Sequence, residues 1–192
     1  MMKRDACFEV LAEHRGDAVV VATYTSAFEW RRVSPDPKNF YSVGAMGQAS
    51  SYGLGLAIGL PDTRVIVLDG DGSLAMNLST MTTIAGRAPD NLVHCVVENG
   101  TYEANGSHPL PAAGTADFAG MAKAAGYASV FEFEGLNRLT AEIEQVLAAP
   151  GPVFVTLKVE PGDTPVEYDY PFIHSAEARD TFRAGIKPLL QK

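Results

Sequence analysis

An acidic, glycine-rich segment follows an apolar run of the chain. Residues 70–73, Gly-Asp-Gly-Ser, come directly after the apolar run 64–69. Glycine lets the backbone approach a ligand closely, and free amides at the start of a helix favour an anion. Asp71 is itself an anion, so a cation must lie between it and an anionic ligand. The segment therefore predicts Mg²⁺ bridging a carboxylate to a phosphate, although a plain turn stays an alternative.

A second polar segment makes the plain turn a weaker alternative. Asn99 follows the apolar run 92–98, and 26 residues, 73–98, separate it from Gly72. One helix and one strand fill this interval, which predicts Asn99 at the same sheet edge as Asp71. Its amide oxygen and a following backbone carbonyl can complete an octahedral oxygen site.

Helices and apolar strands alternate along the chain and must position these segments. The apolar runs are continuous, without an alternation of apolar and polar residues, which indicates a mainly parallel sheet with helices on both faces. We therefore expect an α/β fold, a three-layer sandwich. Residues 25–43 hold two prolines and charges of both signs and are predicted to be a long loop. The predicted helices cover 5–15, about 47–59, 73–86, 117–126 and 136–149, and the predicted strands cover 18–24, 64–69, 92–98, 128–133 and 152–159.

Composition excludes several classes of protein. The 192 residues carry 15 Lys and Arg against 23 Asp and Glu, a net charge of −8, which argues against binding to duplex nucleic acid. No segment approaches the roughly 20 apolar residues that cross a bilayer. Cys7 and Cys95 are the only cysteines, which favours the cytoplasm over a secreted disulfide framework. We expect one cofactor domain over 1–160 and a C-terminal tail, 161–192, that packs on the domain or on a partner.

The motifs resemble those of a known family. Segments 39–49, 53–85 and 91–109 are similar to the diphosphate-binding domain of thiamine diphosphate-dependent 2-oxo acid decarboxylases, above all sulfopyruvate decarboxylase (beta subunit) and phosphonopyruvate decarboxylase. The family's motif begins Gly-Asp-Gly and ends Asn-Asn, and the resemblance covers roughly residues 17–160. It implies the thiamine diphosphate-binding fold, with thiamine diphosphate and Mg²⁺ as cofactors.

The resemblance also implies roles for individual residues. Glu98 replaces the usual Asn or Asp and need not be a ligand, and Gly106-Ser107-His108 stands where the family has Gly-Gly-Gln near the substrate. The expected metal ligands are the side chains of Asp71 and Asn99 and the carbonyl of Thr101. The residues expected to bind the cofactor are Ser26, Gly44, Met46, Gly47, Gly70, Gly72, Ser73 and Tyr102. His108 is the candidate for substrate binding or proton transfer.

The implied reaction needs a second domain. Enzymes of this family activate the cofactor with a glutamate on a pyrimidine-binding domain, and we expect a separate subunit to supply that domain in a hetero-oligomer. The expected activity is decarboxylation of a small 2-oxo acid. A carboligase or synthase of the acetolactate synthase type is one alternative, and a non-catalytic regulatory or assembly subunit is another.

Overall fold

A parallel sheet of six strands forms the centre of the protein. The computed structural model describes residues 1–42, 46–162 and 169–191. The strands are β1 (Val19–Thr23), β2 (Asn39–Ser42), β3 (Val65–Gly70), β4 (Leu92–Glu98), β5 (Thr101–Tyr102), β6 (His108–Pro109), β7 (Ser129–Phe133) and β8 (Val153–Lys158). The sheet has the order β2-β1-β3-β4-β8-β7, with every neighbouring pair parallel, and β5 and β6 form a separate antiparallel hairpin.

Helices cover both faces of the sheet, so the central strands β1, β3, β4 and β8 are buried on both sides. Val20 and Ala22 of β1 belong to the core under α1, α2 and α7, whereas Val19 and Val21 face α3, α5 and α6. The fold is therefore a three-layer α/β sandwich, which confirms the predicted class. In the described ranges the helices are α1 (Arg4–His14), α2 (Tyr24–Val33), α3 (Ala49–Gly59), α4 (Asp71–Ala75), α5 (Thr80–Arg87), α6 (Phe118–Ala125), α7 (Leu136–Ala148), α8 (Tyr170–Ile173) and α9 (Ala176–Ile186).

The prediction of a long loop over residues 25–43 is wrong. This segment contains α2 and the edge strand β2, and the prolines stand between them. Trp30 is fully buried, and Glu29 is buried too because Arg4, 25 positions earlier in the chain, forms an ion pair with it. Local sequence shows Glu29 only as a charge, so the buried face of α2 was not recognised.

The predicted helix over 73–86 is interrupted. It forms two helices, α4 and α5, with Asn77 in the turn between them. The Asn77 side chain donates a hydrogen bond to the Gly47 carbonyl at 2.9 Å, and its own carbonyl accepts one from the Thr80 hydroxyl at 3.0 Å. Such local polar contacts compete with a continuous helix.

The described part of the C-terminal tail packs on the sheet edge. Phe182 of α9 is buried, and its ring centroid lies 5.2 Å from that of Phe40 in β2. Asp169 pairs with Arg31 of α2 at 2.7 Å. The tail thereby covers part of one face of the edge strand. Within the described ranges, each helix is too short or too polar to cross a membrane.

Candidate functional site

The carboxyl ends of β1, β3 and β4 meet at one edge of the sheet. β2 lies on one side of β1 and β3 on the other, so the loops after β1 and β3 diverge and leave a crevice. A cleft opens at this point. Its walls include Arg4, Met46, the segments 23–26 and 70–73, and most of 97–105.

Asp71 joins the loops that follow β3 and β4. Its side chain is buried, and Oδ1 accepts a hydrogen bond from the Gly72 amide at 2.7 Å. Oδ2 accepts from the amides of Asn99 at 3.0 Å and Gly100 at 2.7 Å. The structure thus brings together the two polar segments that the sequence places at one sheet edge.

Asn99 shapes the loop that carries the third expected metal ligand. Its Oδ1 accepts a hydrogen bond from the Thr101 amide at 2.8 Å and from the Thr101 hydroxyl at 3.3 Å. Both residues line the cleft together with Asp71. The three expected ligands therefore share one wall of the cleft.

Gly72 lies under an aromatic ring. A Cβ at this position would stand 2.7 Å from Cδ1 and Cε1 of Tyr102, which is closer than real Cβ contacts. Tyr102 is half-buried and lines the cleft with Gly70 and Gly72. The close approach of backbone and ring accounts for glycine at position 72.

The loop before α3 is tied to the turn after β3. Ser73 is buried, and its Oγ accepts a hydrogen bond from the Gly47 amide at 2.9 Å. Gly47 has φ +81°, a left-handed conformation that favours glycine. Met46 and Ser73 both line the cleft, whereas Gly44 lies outside the described residues.

The wall contributed by α2 includes residues that the sequence did not single out. Ser26, an expected contact of the cofactor, is buried there, and Thr23, Tyr24 and Thr25 are its neighbours in the cleft. Tyr24 has φ +46°, which non-glycine residues rarely adopt. No sequence signal marks a tyrosine for this conformation.

Charged groups in and behind the cleft are mostly acidic. Burial raises the pKa of the Asp71 carboxyl, its three amide hydrogen bonds lower that pKa, and nearby Glu103 raises it. Arg4 pairs with both Glu29 and Glu103, so its single charge is shared between two carboxylates. An anionic ligand therefore meets no surplus of positive charge among the described lining residues.

The oxygen atoms present fit Mg²⁺ bound together with a diphosphate. A carboxylate can accept about four hydrogen bonds or ligand contacts, and Asp71 uses three of them. In the described residues, no group of three His, Cys, Asp or Glu side chains could hold a metal. Mg²⁺ is usually held by only one or two carboxylates, with phosphate oxygens and water completing its shell. These oxygen atoms therefore suit a metal ion whose ligands come partly from a diphosphate. They do not suit a metal ion held by protein side chains alone.

Two residues close to Asn99 in the sequence, Glu98 and His108, do not line the cleft. His108 is exposed on β6, paired across the short hairpin with Tyr102, and it is not among the cleft-lining residues. Glu98 is half-buried at the end of β4 beside Lys158 of β8. Burial raises the pKa of Glu98, and the charge of Lys158 lowers it.

Comparison with known proteins matches the part of the chain that forms most of the cleft. Residues 18–157 match the family model described as thiamine pyrophosphate enzyme, C-terminal TPP binding domain. The chain is also similar to an X-ray structure from Mycobacterium smegmatis described as a thiamin diphosphate-dependent enzyme. That similarity has a TM-score of 0.71 at 26% identity and covers 83% of this chain and 32% of the other.

Two kinds of decarboxylase are among the relatives. Phosphonopyruvate decarboxylase of Streptomyces viridochromogenes is 37% identical over 178 residues, which is 92% of this chain and 44% of that protein. Sulfopyruvate decarboxylase subunit beta of Methanothermobacter thermautotrophicus is 40% identical over 134 residues, 70% of this chain and 69% of that subunit. The chain thus spans less than half of the phosphonopyruvate decarboxylase and about two thirds of the beta subunit.

Proposed function

Because this chain belongs to the thiamine pyrophosphate enzymes, through their C-terminal TPP binding domain, we propose that it is the diphosphate-binding part of a Mg²⁺-dependent decarboxylase. Its substrate is a small 2-oxo acid that resembles sulfopyruvate or phosphonopyruvate. The names of the relatives support the reaction and the class of substrate.

One observation carries the proposal. The Asp71 carboxylate accepts hydrogen bonds from amides on both the loop after β3 and the loop after β4, at 2.7–3.0 Å. This arrangement fixes a carboxylate, an amide oxygen and a glycine-rich turn around one cleft. A diphosphate bridged by Mg²⁺ needs that combination of groups.

Each wall of the cleft has a proposed role. The Asp71 and Asn99 side chains and the Thr101 carbonyl hold Mg²⁺. Met46 and Tyr102 contact the organic part of the cofactor and exclude water, which strengthens polar interactions in the cleft. The groups proposed to hold the diphosphate and its surroundings are Ser26, Gly47, Gly70, Gly72 and Ser73, together with Gly44 outside the described residues.

The chemistry divides between cofactor and protein. When bound, thiamine diphosphate supplies the group that accepts the electron pair released as CO₂ leaves a 2-oxo acid. The chain binds the diphosphate, orients the cofactor and keeps water out. His108 stays a prediction for substrate binding or proton transfer, since an imidazole can change charge near neutral pH.

A partner completes the active site in this proposal. Three relatives of this chain are named beta subunits of sulfopyruvate decarboxylase. By analogy, a separate subunit contributes the pyrimidine-binding domain and its activating glutamate. The open side of the cleft is then closed by that subunit.

A cytoplasmic location agrees with the cysteine chemistry. Cys7 and Cys95 are buried thiols, and burial raises the pKa of each to about 12. Thiols of this kind are unreactive and behave as apolar core groups. We place the cofactor domain over 1–160.

A binding titration followed by reconstitution tests the proposal. Calorimetry of the full chain with thiamine diphosphate is expected to show binding in Mg²⁺ and none in EDTA. Addition of a pyrimidine-domain subunit is expected to release CO₂ from sulfopyruvate or phosphonopyruvate. Equal binding of thiamine diphosphate in Mg²⁺ and in EDTA would contradict the metal site. Turnover by the chain alone would contradict the need for a partner.

A further inference from the structure

Arg4 lies at a point where two walls of the cleft meet. It begins α1, lines the cleft, and its side chain is 8% exposed. Its guanidinium donates to Glu29 of α2 through Nε and to Glu103, beyond β5, through Nη1. One side chain therefore connects three segments that are distant in the sequence.

The two partners belong to opposite walls. Glu29 stands one helical turn after the α2 residues 24–26 that line the cleft. Glu103 directly follows Thr101 and Tyr102, and its other carboxylate oxygen accepts a hydrogen bond from the Gly162 amide. Glu103 thus connects the segment after β4 to the segment that follows β8.

Arg4 compensates two carboxylates that are as buried as it is. The side chains of Glu29 and Glu103 are 9% and 8% exposed. Arg32 also approaches Glu29, at 3.8 Å, but its own side chain is 68% exposed. Without Arg4, two buried like charges would face each other, and repulsion would separate the walls that carry them.

We propose that Arg4 is a positioning residue that sets the separation of the two cleft walls and orders residues 99–105 for Mg²⁺ and diphosphate. This inference rests on the proposed function. In this inference Arg4 acts through Glu29 and Glu103, the carboxylates to which its guanidinium donates. Its removal is expected to loosen the 99–105 segment while the sheet stays intact.

The chain contains a matched control. Arg15, at the opposite end of α1, is 7% exposed and donates to Ser34, Asn39 and the Ala18 carbonyl. None of these residues lines the cleft. Arg15→Met therefore removes a buried guanidinium at the other end of the same helix, and its contacts with α2 and the residue after it, at Trp30 and Ser34, are with residues that do not line the cleft.

Hydrogen exchange of the full chain separates positioning from general stability. Amides of Asn99, Gly100 and Thr101 are hydrogen-bonded to side chains of this loop or of Asp71, and the Leu110 amide donates to the Gly100 carbonyl. Arg4→Met is expected to speed exchange over 99–110 about tenfold and leave the β4 amides unchanged. Glu103→Gln, which keeps the Arg4 to Glu29 pair and leaves no second buried carboxylate to repel it, is expected to speed exchange at 99–110 less than Arg4→Met does.

Calorimetry with Mg²⁺ and thiamine diphosphate supplies the second measurement. Arg4→Met is expected to weaken binding roughly tenfold, Arg4→Lys less, and Arg15→Met not at all. Exchange over 99–110 equal to wild type, or raised equally by Arg15→Met, overturns the inference. If wild type fails to bind the cofactor, the proposed function fails, and the exchange comparison still decides the role of Arg4.

Discussion

Replacing Asp71 by Asn removes a charge with little change of shape. The carboxylate accepts hydrogen bonds from Gly72, Asn99 and Gly100 at 2.7–3.0 Å. An asparagine side chain has one accepting oxygen and one donating NH₂, so at least one backbone amide must face a donor. The amide of Gly72 loses its partner if the oxygen keeps the other two.

The stability cost of Asp71→Asn is expected to be modest. One unsatisfied buried amide costs about 1–3 kcal/mol. Burial raises the pKa of the Asp71 carboxyl, so removing its charge recovers part of that cost. For a chain of this size each kcal/mol shifts Tm by about 2–4 °C, and we expect a decrease of a few degrees.

The effect of Asp71→Asn on ligand binding is expected to be much larger. The variant loses the one carboxylate of the proposed Mg²⁺ site, and affinity for thiamine diphosphate in Mg²⁺ should fall on the order of 100-fold or more. Calorimetry and thermal unfolding measure the two effects on the same samples. Asp117→Asn is the control, because Asp117 caps α6 outside the cleft and asparagine caps equally well. Wild-type affinity in the folded Asp71→Asn variant would refute the metal assignment.

Two further substitutions probe the cleft and the hairpin beside it. Gly72→Ala forces a Cβ to within 2.7 Å of the Tyr102 ring and is expected to cost about 1–3 kcal/mol and to weaken cofactor binding. Gly55→Ala, whose Cβ meets open space on α3, should be neutral or stabilising in the same melts. His108→Gln is expected to change KM for the 2-oxo acid more than cofactor affinity in the reconstituted enzyme, and unchanged kinetics would remove His108 from the site.

The centre of the sheet was predictable because its strands are buried on both faces. A parallel strand under two layers of helices must be apolar at every position, so its residues form an unbroken run in the sequence. The predicted runs at 18–24, 64–69 and 92–98 coincide with β1, β3 and β4 to within about one residue at each end. β3 and β4 lie side by side in the sheet, so the residues that follow their carboxyl ends, Asp71 and Asn99, lie close together.

The missed elements depend on contacts between distant parts of the chain. Glu29 is buried in α2 because Arg4 neutralises it, and no local pattern contains that information. The middle of β2 is only half-buried even with Phe182 of the tail against Phe40, so the strand has no continuous buried run to mark it. Tyr24 has a positive φ, a conformation that the sequence usually marks with a glycine. Arg4 and Tyr24 therefore became candidate residues only when the walls of the cleft were assembled.

The charges of the cleft support the proposal of a divalent cation at this site. Arg4 is the basic residue among the described lining residues, and two glutamates already share its charge. Asp71 adds a buried negative charge beside the glycine-rich turn. A diphosphate placed there would be repelled by carboxylates in a cleft where water screens them weakly. In the proposed site, Mg²⁺ would reverse the sign of that interaction, because it would convert the Asp71 carboxylate from a repelling group into a ligand.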